Sequence, residues 1–564
     1  MGSPPLPGPL AERLARLAPD QRAAATAPPG PVLCIAPAGS GKTTTLIARV
    51  AWLAGGPVRA DPAAITALTF NKRAAEELAE RLCPALEPLG VAADTVRVRT
   101  FHALGREILD DAGVSVEPLV ERDPLLRELF PEATTADRRR LDTAFSRLKL
   151  DLVVTADEIR AASDPGPVAR AFVAYEDALA AVGGCDFDDL VARALVALER
   201  DEPLLARWRA RCAHLLVDEV QDVDRSQLRL ALLLAAPANR IFLVGDDDQS
   251  IYGWRLADVR RVIGLTEDLP GLARVDLVTN YRCPRPVVER AVRLIERNDE
   301  RFAKGIRAGP VASGRLVLAP DARDDPARVR AILDSWPADG TRAILARTNR
   351  ELLPAAAVAL ERGVAFRAPS LVLVLDAALL DEVVARTGAF DADGDPLIAL
   401  ATLRQTLADE EAAATDGATG GDAPGDDEPT RADIAAALLA WAPPYRTIGA
   451  LLEEVRARRE RLAALRRDDA PLTLATAHAT KGLEFDHVAV IGLDDGRFPS
   501  RRSLADAPDP ARAIEEERRL AYVAWTRARR SLTLVYDPAA PSPFLREAFE
   551  PEELAPRGAA AGAP

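Results

Sequence analysis

Apolar residues recur along this chain in two alternating rhythms. Short, mainly apolar runs such as Val32-Leu33-Cys34-Ile35, Ile65-Thr66-Ala67-Leu68-Thr69-Phe70, His214-Leu215-Leu216-Val217 and Arg240-Ile241-Phe242-Leu243-Val244-Gly245 read as buried strands. Between them lie stretches with apolar positions at helical spacing. One of these is opened by Asn71 ahead of Lys72-Arg73-Ala74-Ala75-Glu76-Glu77-Leu78, an N-cap residue before an amphipathic run. Val96-Arg97-Val98-Arg99-Thr100 alternates as a half-covered strand and leads into Phe101-His102-Ala103-Leu104. Strand and helix in alternation predict an α/β chain with parallel sheets covered by helices on both faces.

The rhythm is interrupted twice. Residues 111–185 are helical in pattern and charged, including Arg138-Arg139-Arg140, Arg147 and Lys149, with no strong strand. A second sheet domain, expected over 276–375, includes the strand Ala343-Ile344-Leu345-Ala346-Arg347. It breaks off over 376–470 and resumes at Pro471-Leu472-Thr473-Leu474-Ala475-Thr476. The expected organisation is therefore 1–110 and 186–275 for the first sheet domain, with 111–185 inserted. The second is 276–375 and 471–550, with 376–470 inserted, and 551–564 forms a flexible tail. Within the second insertion, residues 409–430 are rich in Gly, Ala and acids and contain no basic residue, so a disordered loop is expected there. The run Arg456-Ala457-Arg458-Arg459-Glu460-Arg461 suits either a duplex backbone or a solvated helix face.

Length and composition narrow the picture. A chain of 564 residues is too long for one core. No apolar run approaches the roughly 18 residues of a membrane span, and Met1-Gly2-Ser3-Pro4-Pro5 lacks the layout of a secretory signal. The cysteines (Cys34, Cys83, Cys185, Cys212, Cys283) are scattered, with no pair at metal-ligand spacing, as for buried free thiols in a cytoplasmic protein. The net charge of −14 argues at first against nucleic acid, but it averages over faces, and a basic groove is compatible with an acidic exterior. Only five lysines stand among the 72 basic residues, so a lysine inside a glycine-containing phosphate turn points to a position where guanidinium will not substitute.

One of them lies in Ala36-Pro37-Ala38-Gly39-Ser40-Gly41-Lys42-Thr43, between an apolar run and a helical pattern that continues through Thr44. Gly39 and Gly41 allow backbone N–H groups to close on phosphate oxygens, and the following helix directs its positive end at the same anion. Lys42 would reach the terminal phosphates, and Thr43 would take a place on Mg²⁺. The residues Ala38, Gly39, Ser40, Gly41, Lys42, Thr43 and Thr44 thus form a candidate nucleoside-triphosphate cradle. Downstream, Asp218 and Glu219 end an apolar strand. Asp218 would hold Mg²⁺, and Glu219 would orient and deprotonate an attacking water. Gln249 ends another strand, placed to sense a γ-phosphate. Tyr252, Trp254 and Arg255 follow at once, two aromatics and a cation suited to stacking on bases.

These segments and others downstream carry a family resemblance. Val244-Gly245-Asp246-Asp247-Asp248-Gln249-Ser250-Ile251-Tyr252-Gly253-Trp254-Arg255 resembles the third motif of superfamily 1A DNA helicases of the UvrD, Rep and PcrA type. Val217-Asp218-Glu219-Val220-Gln221-Asp222 resembles the second and Asn280-Tyr281-Arg282 the fourth. His478-Ala479-Thr480-Lys481-Gly482-Leu483-Glu484-Phe485 is similar to the fifth, and the segment from Glu516 to Ala528 to the sixth.

The resemblance implies two RecA-like motor domains, each interrupted by a mainly helical insertion, with ATP and Mg²⁺ as cofactors. It implies that Gln21 reads the adenine edge, Tyr281 stacks on the adenine and Glu484 lies near the ribose. Arg282 and Arg527 are implied as arginine fingers from the second motor domain. Phe70, Thr100, His102, Tyr252, Trp254, Arg255 and His478 match positions that contact single-stranded DNA. The implied activity is ATP-driven translocation on single-stranded DNA with 3′-to-5′ unwinding, in DNA repair or replication restart. Single-stranded DNA, its junctions with duplex, and repair or replication proteins are the implied partners of a monomer. A second reading is an ATP-gated DNA-binding accessory protein with little unwinding of its own. Three departures from the family pattern stand out: the second insertion is short, Leu256 stands where glycine is common, and no aromatic contact is evident after Arg527.

Overall fold

The apolar runs form strands because both faces of each find cover. In the computed structural model, which describes residues 6–152, 154–310, 313–417 and 429–554, β1 (Val32–Ile35), β2 (Ile65–Thr69), β4 (His214–Val217) and β5 (Ile241–Gly245) are buried along their whole length. Side chains alternate across a strand, and here the alternation feeds two separate cores. Leu33, Ile35, Leu68, Leu215, Val217, Ile241 and Leu243 join one with helix residues such as Leu104, Leu195 and Leu230. Val32, Cys34, Ala67, Leu216, Phe242 and Val244 join the other with Leu46, Val50 and Leu82. Burying one such side chain is worth about 1.5–3 kcal/mol, and a polar residue on these central strands needs a hydrogen-bond partner, as Thr66 has in Arg211 O.

With β3 (Arg97–Thr100) and β6 (Ala273–Asp276), these strands form a parallel sheet of order β3-β2-β4-β5-β1-β6. The two edge strands are less covered than the central four. A short parallel pair, β7 (Thr279–Asn280) with β8 (Arg307–Ala308), follows the last edge strand. A second sheet has the order β11-β12-β10-β13-β14-β9. Its strands are β9 (Arg315–Pro320), β10 (Arg342–Ala346), β11 (Phe366–Arg367), β12 (Leu472–Thr476), β13 (Phe485–Val490) and β14 (Ala528–Tyr536).

The chain divides into two compact units. The first comprises Met1–Leu125, Arg140–Arg315 and Ser503–Thr526; the second comprises Leu126–Arg139, Leu316–Arg502 and Arg527–Pro564. The fourth-motif segment 280–282 therefore belongs to the first unit, although the sequence pattern suggested a break near 276. The physical reason is local. The Arg285–Ile295 helix packs on the Pro510–Trp525 helix, and both lie in the first unit.

Residues 111–185 are built from helices, including Arg122–Leu129, Thr135–Ser146, Ala156–Ala161 and Pro167–Ala181. The second expected insertion is also helical, but it shares the core of the second sheet. Leu400, Leu403, Ile434, Leu438, Leu451 and Leu462 lie in one cluster with Ile344 and Leu474. The expected loop over 409–430 needs correction, because the Pro396–Gly417 helix runs through its first part and the next helix starts at Arg431. Residues 418–428 of that stretch lie outside the described residues. The expected tail also begins as a short helix, Pro551–Leu554, while 555–564 lie outside the described residues. In the arginine run, Arg459 pairs with Asp381, and Arg458 pairs with Glu454 and lies over Trp441. These partners favour an intramolecular role for both. Among the described residues, no helix is long and apolar enough to cross a membrane.

Candidate functional site

The C-terminal edge of the first sheet gathers most of the residues singled out above. The phosphate loop follows β1, Phe70 follows β2, and Thr100 ends β3. Asp218 follows β4, Asp246–Gln249 follow β5, and the 277–282 segment follows β6. Because β5 lies between β4 and β1, the carboxylate pair and the loop flank the strand that carries Gln249. The edge of a parallel sheet at such a crossover is where ligands of α/β proteins bind.

In the loop, Gly39 and Gly41 have φ of +68° and +87°, which favour residues without a Cβ. A Cβ at Gly41 would lie 2.5 Å from Gln21 Nε2, and one at Gly39 would lie 2.7 Å from the Arg282 Cβ and 2.8 Å from Asn280 Oδ1. The fourth-motif segment thus sits directly on the loop, and Tyr281 N donates to Gly39 O at 2.8 Å. Asn280 Oδ1 in turn accepts from the backbone N–H groups of Arg282 and Cys283, at 2.9 and 2.8 Å. The Tyr281 ring is left half exposed and open for stacking. Gln21 holds the loop from the other side. Its Nε2 donates to Ser40 O at 2.8 Å, and its Oε1 accepts from Ala18 N at 3.1 Å. In this arrangement Gln21 meets the loop through Nε2, while Oε1 closes back on the start of its own helix.

Lys42 Nζ lies 3.6 Å from Glu219 Oε1. Glu219 has a φ of +51°, a left-handed conformation that is costly for a side chain with a Cβ and recurs at functional sites. Its neighbour Asp218 has a pKa pushed up to about 7 by burial and then by the Glu219 charge. A site that holds one carboxylate so far from its ordinary range suits a cation. The Ser40 hydroxyl is buried without a hydrogen-bond partner, although it sits in a loop built for anions. Both features fit a phosphate chain with its Mg²⁺. Among the described residues, no group of three or more His, Cys, Asp or Glu side chains could hold a metal alone.

Two residues that matter here were not singled out by sequence reasoning. Gln221 donates from Nε2 to Glu219 Oε2 at 2.6 Å and accepts from Asp246 N at 2.9 Å, joining the second and third motif segments. Gly245 is required beside it, since a Cβ there would lie 2.3 Å from Gln221 Oε1. The other is Phe187, 55% exposed, which stacks on His102 with centroids 3.9 Å apart and planes at 21°. An aromatic within the acidic run Asp186-Phe187-Asp188-Asp189 was the available signal.

Phe70 and Tyr252 stack at 5.1 Å and 13°, and Trp254 meets Tyr252 edge-on at 6.1 Å. Trp254 is 60% exposed, and the Arg255 guanidinium lies 4.6 Å above its ring. The surface is thus aromatic and cationic and has an open face, as stacking on bases requires. The turn ends on Leu256 with a φ of +66°, which accounts physically for a preference for glycine there. Thr100 spends its hydroxyl on capping a helix, accepting from Ala103 N at 3.1 Å. His102 is held neutral, its pKa lowered to about 4 mainly by burial, with the Arg255 charge adding to the fall.

The remaining candidates belong to the second unit. Arg527 is buried and donates from Nη1 to Leu483 O at 3.1 Å. Glu484 is exposed and pairs with Arg529 at 3.3 Å. His478 has a pKa lowered to about 4, first by burial and then by Arg347.

Comparison with known proteins covers the same residues. A model of the UvrD/REP helicase N-terminal domain matches residues 17–270, and one of the UvrD-like helicase C-terminal domain matches 441–538. The chain is 27% identical to DNA helicase II of Salmonella typhimurium over 613 aligned positions, which cover 92% of this chain and 84% of that protein. It is 28% identical to DNA helicase II of Escherichia coli K12 with the same coverage. A shorter match, 32% identical over 291 positions, is to the ATP-dependent DNA helicase PcrA of Staphylococcus aureus, with 49% of this chain and 39% of that protein covered.

Proposed function

Because the chain belongs to the UvrD/REP helicase family, we propose that it is an ATP-driven translocase on single-stranded DNA that unwinds duplex in the 3′-to-5′ direction. The observation that carries this reading lies in the first unit. The phosphate loop and the aromatic surface stand on one sheet edge, and one ten-residue segment, Asp246 to Arg255, leads from the strand beside the loop to that surface.

In this reading Lys42 and the loop N–H groups bind the β- and γ-phosphates, and Tyr281 stacks on the base. Thr43 and Asp218 would hold Mg²⁺, whose chemistry there is to neutralise phosphate oxygens. Glu219, oriented by Gln221, takes the proton of the attacking water. Arg282 and Arg527 supply positive charge as it develops, a role worth about 10³–10⁵ in rate for an arginine finger. Phe70, Tyr252, Trp254 and Arg255 grip bases by stacking, which holds any sequence and so suits a motor. DNA repair or replication restart in the cytoplasm is the setting we propose.

The second reading, an accessory protein that unwinds little, draws on one observation. The short second insertion shares the core of its sheet instead of forming a body of its own. Strand displacement by the purified chain on duplexes with a 3′ or a 5′ tail, alongside ATPase with and without single-stranded DNA, separates the two. Unwinding confined to the 3′ tail supports the motor. Stimulated ATPase without displacement supports the accessory protein, and no stimulation overturns both.

A further inference from the structure

Lys304 lies in a stretch to which no motif reading was attached, yet it is one of the most enclosed charges in the first unit. Its side chain is 0% exposed, and its ammonium meets three successive carboxylates. It lies 3.1 Å from Asp246 Oδ1, 2.9 Å from Asp248 Oδ2, and in hydrogen-bond contact with Asp247 Oδ1. An ammonium has three N–H donors, so its capacity is filled. An ammonium directs its three donors outward from a single atom, which suits three carboxylates converging on one point, whereas a guanidinium spreads its donors across a plane. That accounts for a lysine at 304 in a chain with five lysines among 72 basic residues.

The neighbours of Lys304 complete a clasp. Arg301 holds both oxygens of Asp248, at 2.9 and 2.8 Å, and Phe302 N donates to Asp247 Oδ2 at 2.8 Å. What the clasp holds is the root of the turn described above. Asp246 gives one oxygen to Lys304, and its Oδ2 accepts from Gln249 Nε2 at 2.6 Å. Its backbone N–H bonds Gln221, which bonds Glu219. From Gln249 the chain continues directly to Tyr252 and Trp254.

We propose that Lys304 is a positioning residue for turnover: by fixing the Asp246 carboxylate it aims Gln249, and it holds the turn through which DNA at Trp254 acts on hydrolysis at Glu219. This rests on the functional reading above.

Neutralising buried charge is the competing explanation, and it is separable. Removing Lys304 leaves three buried carboxylates facing Arg301 alone. Asp247 is already pushed up to about 6 by burial and its acidic neighbours, so Lys304→Met invites misfolding. Pairing it with Asp247→Asn restores the net charge of the cluster without restoring the three-way clasp.

The test compares the wild-type chain, K304M and K304M/D247N by thermal midpoint, ADP affinity and steady-state ATPase with and without oligothymidylate. The expected double variant melts within a few degrees of wild type, binds ADP equally well and keeps its KM for ATP within about twofold. Its kcat at saturating oligonucleotide falls about 100-fold, the scale of a small misplacement of catalytic groups. A double variant with wild-type stimulated kcat overturns the proposal and leaves Lys304 as a counter-charge. One that melts far below wild type or loses ADP binding also overturns it, in favour of a structural role. If the wild-type chain shows no stimulation by oligothymidylate, the functional reading itself fails and the proposal falls with it.

Discussion

Gln221 donates a 2.6 Å hydrogen bond from Nε2 to Oε2 of Glu219. Glu219 stands in a left-handed backbone conformation, and the bond holds its carboxylate on a chosen side of that turn. The other end of the same amide accepts from Asp246 N at 2.9 Å, so a shift of the third motif is felt at the carboxylate proposed as base. Gln221→Leu should therefore lower kcat about 100-fold with little change in KM. Steady-state ATPase with saturating single-stranded DNA measures both, and a raised KM at constant kcat would place Gln221 in substrate binding instead.

The cradle makes a graded set of expectations. Lys42→Ala should abolish nucleotide binding. Glu219→Gln should keep ATP affinity and lose turnover, because the amide cannot take the proton of water. Arg527→Ala should also bind ATP and lose about 10³–10⁵ in rate. Binding of a fluorescent nucleotide beside ATPase distinguishes the three, and normal turnover in either of the last two contradicts its assigned role.

Trp254 is 60% exposed, so its loss should cost the fold little. Stacking of one base on an aromatic ring is worth about 1–3 kcal/mol. Trp254→Ala should keep its thermal midpoint within a few degrees and retain basal ATPase. It should lose most of the stimulation by single-stranded DNA, and Phe187→Ala should weaken DNA binding in the same way. An early-melting Trp254→Ala protein would show instead that the ring supports the core.

Asp218 gives the site a pH dependence of definite sign. Its pKa in the folded chain, about 7, lies above its ordinary value of 3.8 because burial and Glu219 oppose its charge. Its contribution to stability is therefore full below the ordinary value and is lost as pH rises through about 7. Asp218→Asn should raise the thermal midpoint of the nucleotide-free protein more at about pH 8 than at about pH 5.5. Calorimetry at the two pH values measures this, and an equal shift at both would mean that Asp218 is ionised throughout.

Removing residues 418–428 should leave DNA-stimulated ATPase within a few-fold of the parent. The stretch is acidic and carries no apolar pattern, so it offers DNA only repulsion. The deletion stops short of 409–417 because the Pro396–Gly417 helix includes them. Collapse of the stimulated rate on deletion would assign the stretch a coupling role.

The sequence by itself determined the features that depend on near neighbours. Gly39 and Gly41 announce a loop of positive φ, apolar runs announce buried strands, and Asn71 announces a helix start; each is set within a few residues of its position. The tertiary structure alone decided what meets across the chain. Because β5 runs between β4 and β1, Gln221 meets Asp246, and the turn from Asp246 lies between the loop and the aromatic surface. Phe187 reaches His102 from 85 residues away in sequence, and Lys304 reaches the three aspartates from more than 50. No local pattern specifies such pairs, since a hydrogen bond or a stacked ring depends on distance in space, and sheet order sets that distance. The same holds for the second insertion. Its helical periodicity was legible, but only packing decided that its apolar faces would complete the core of the second sheet.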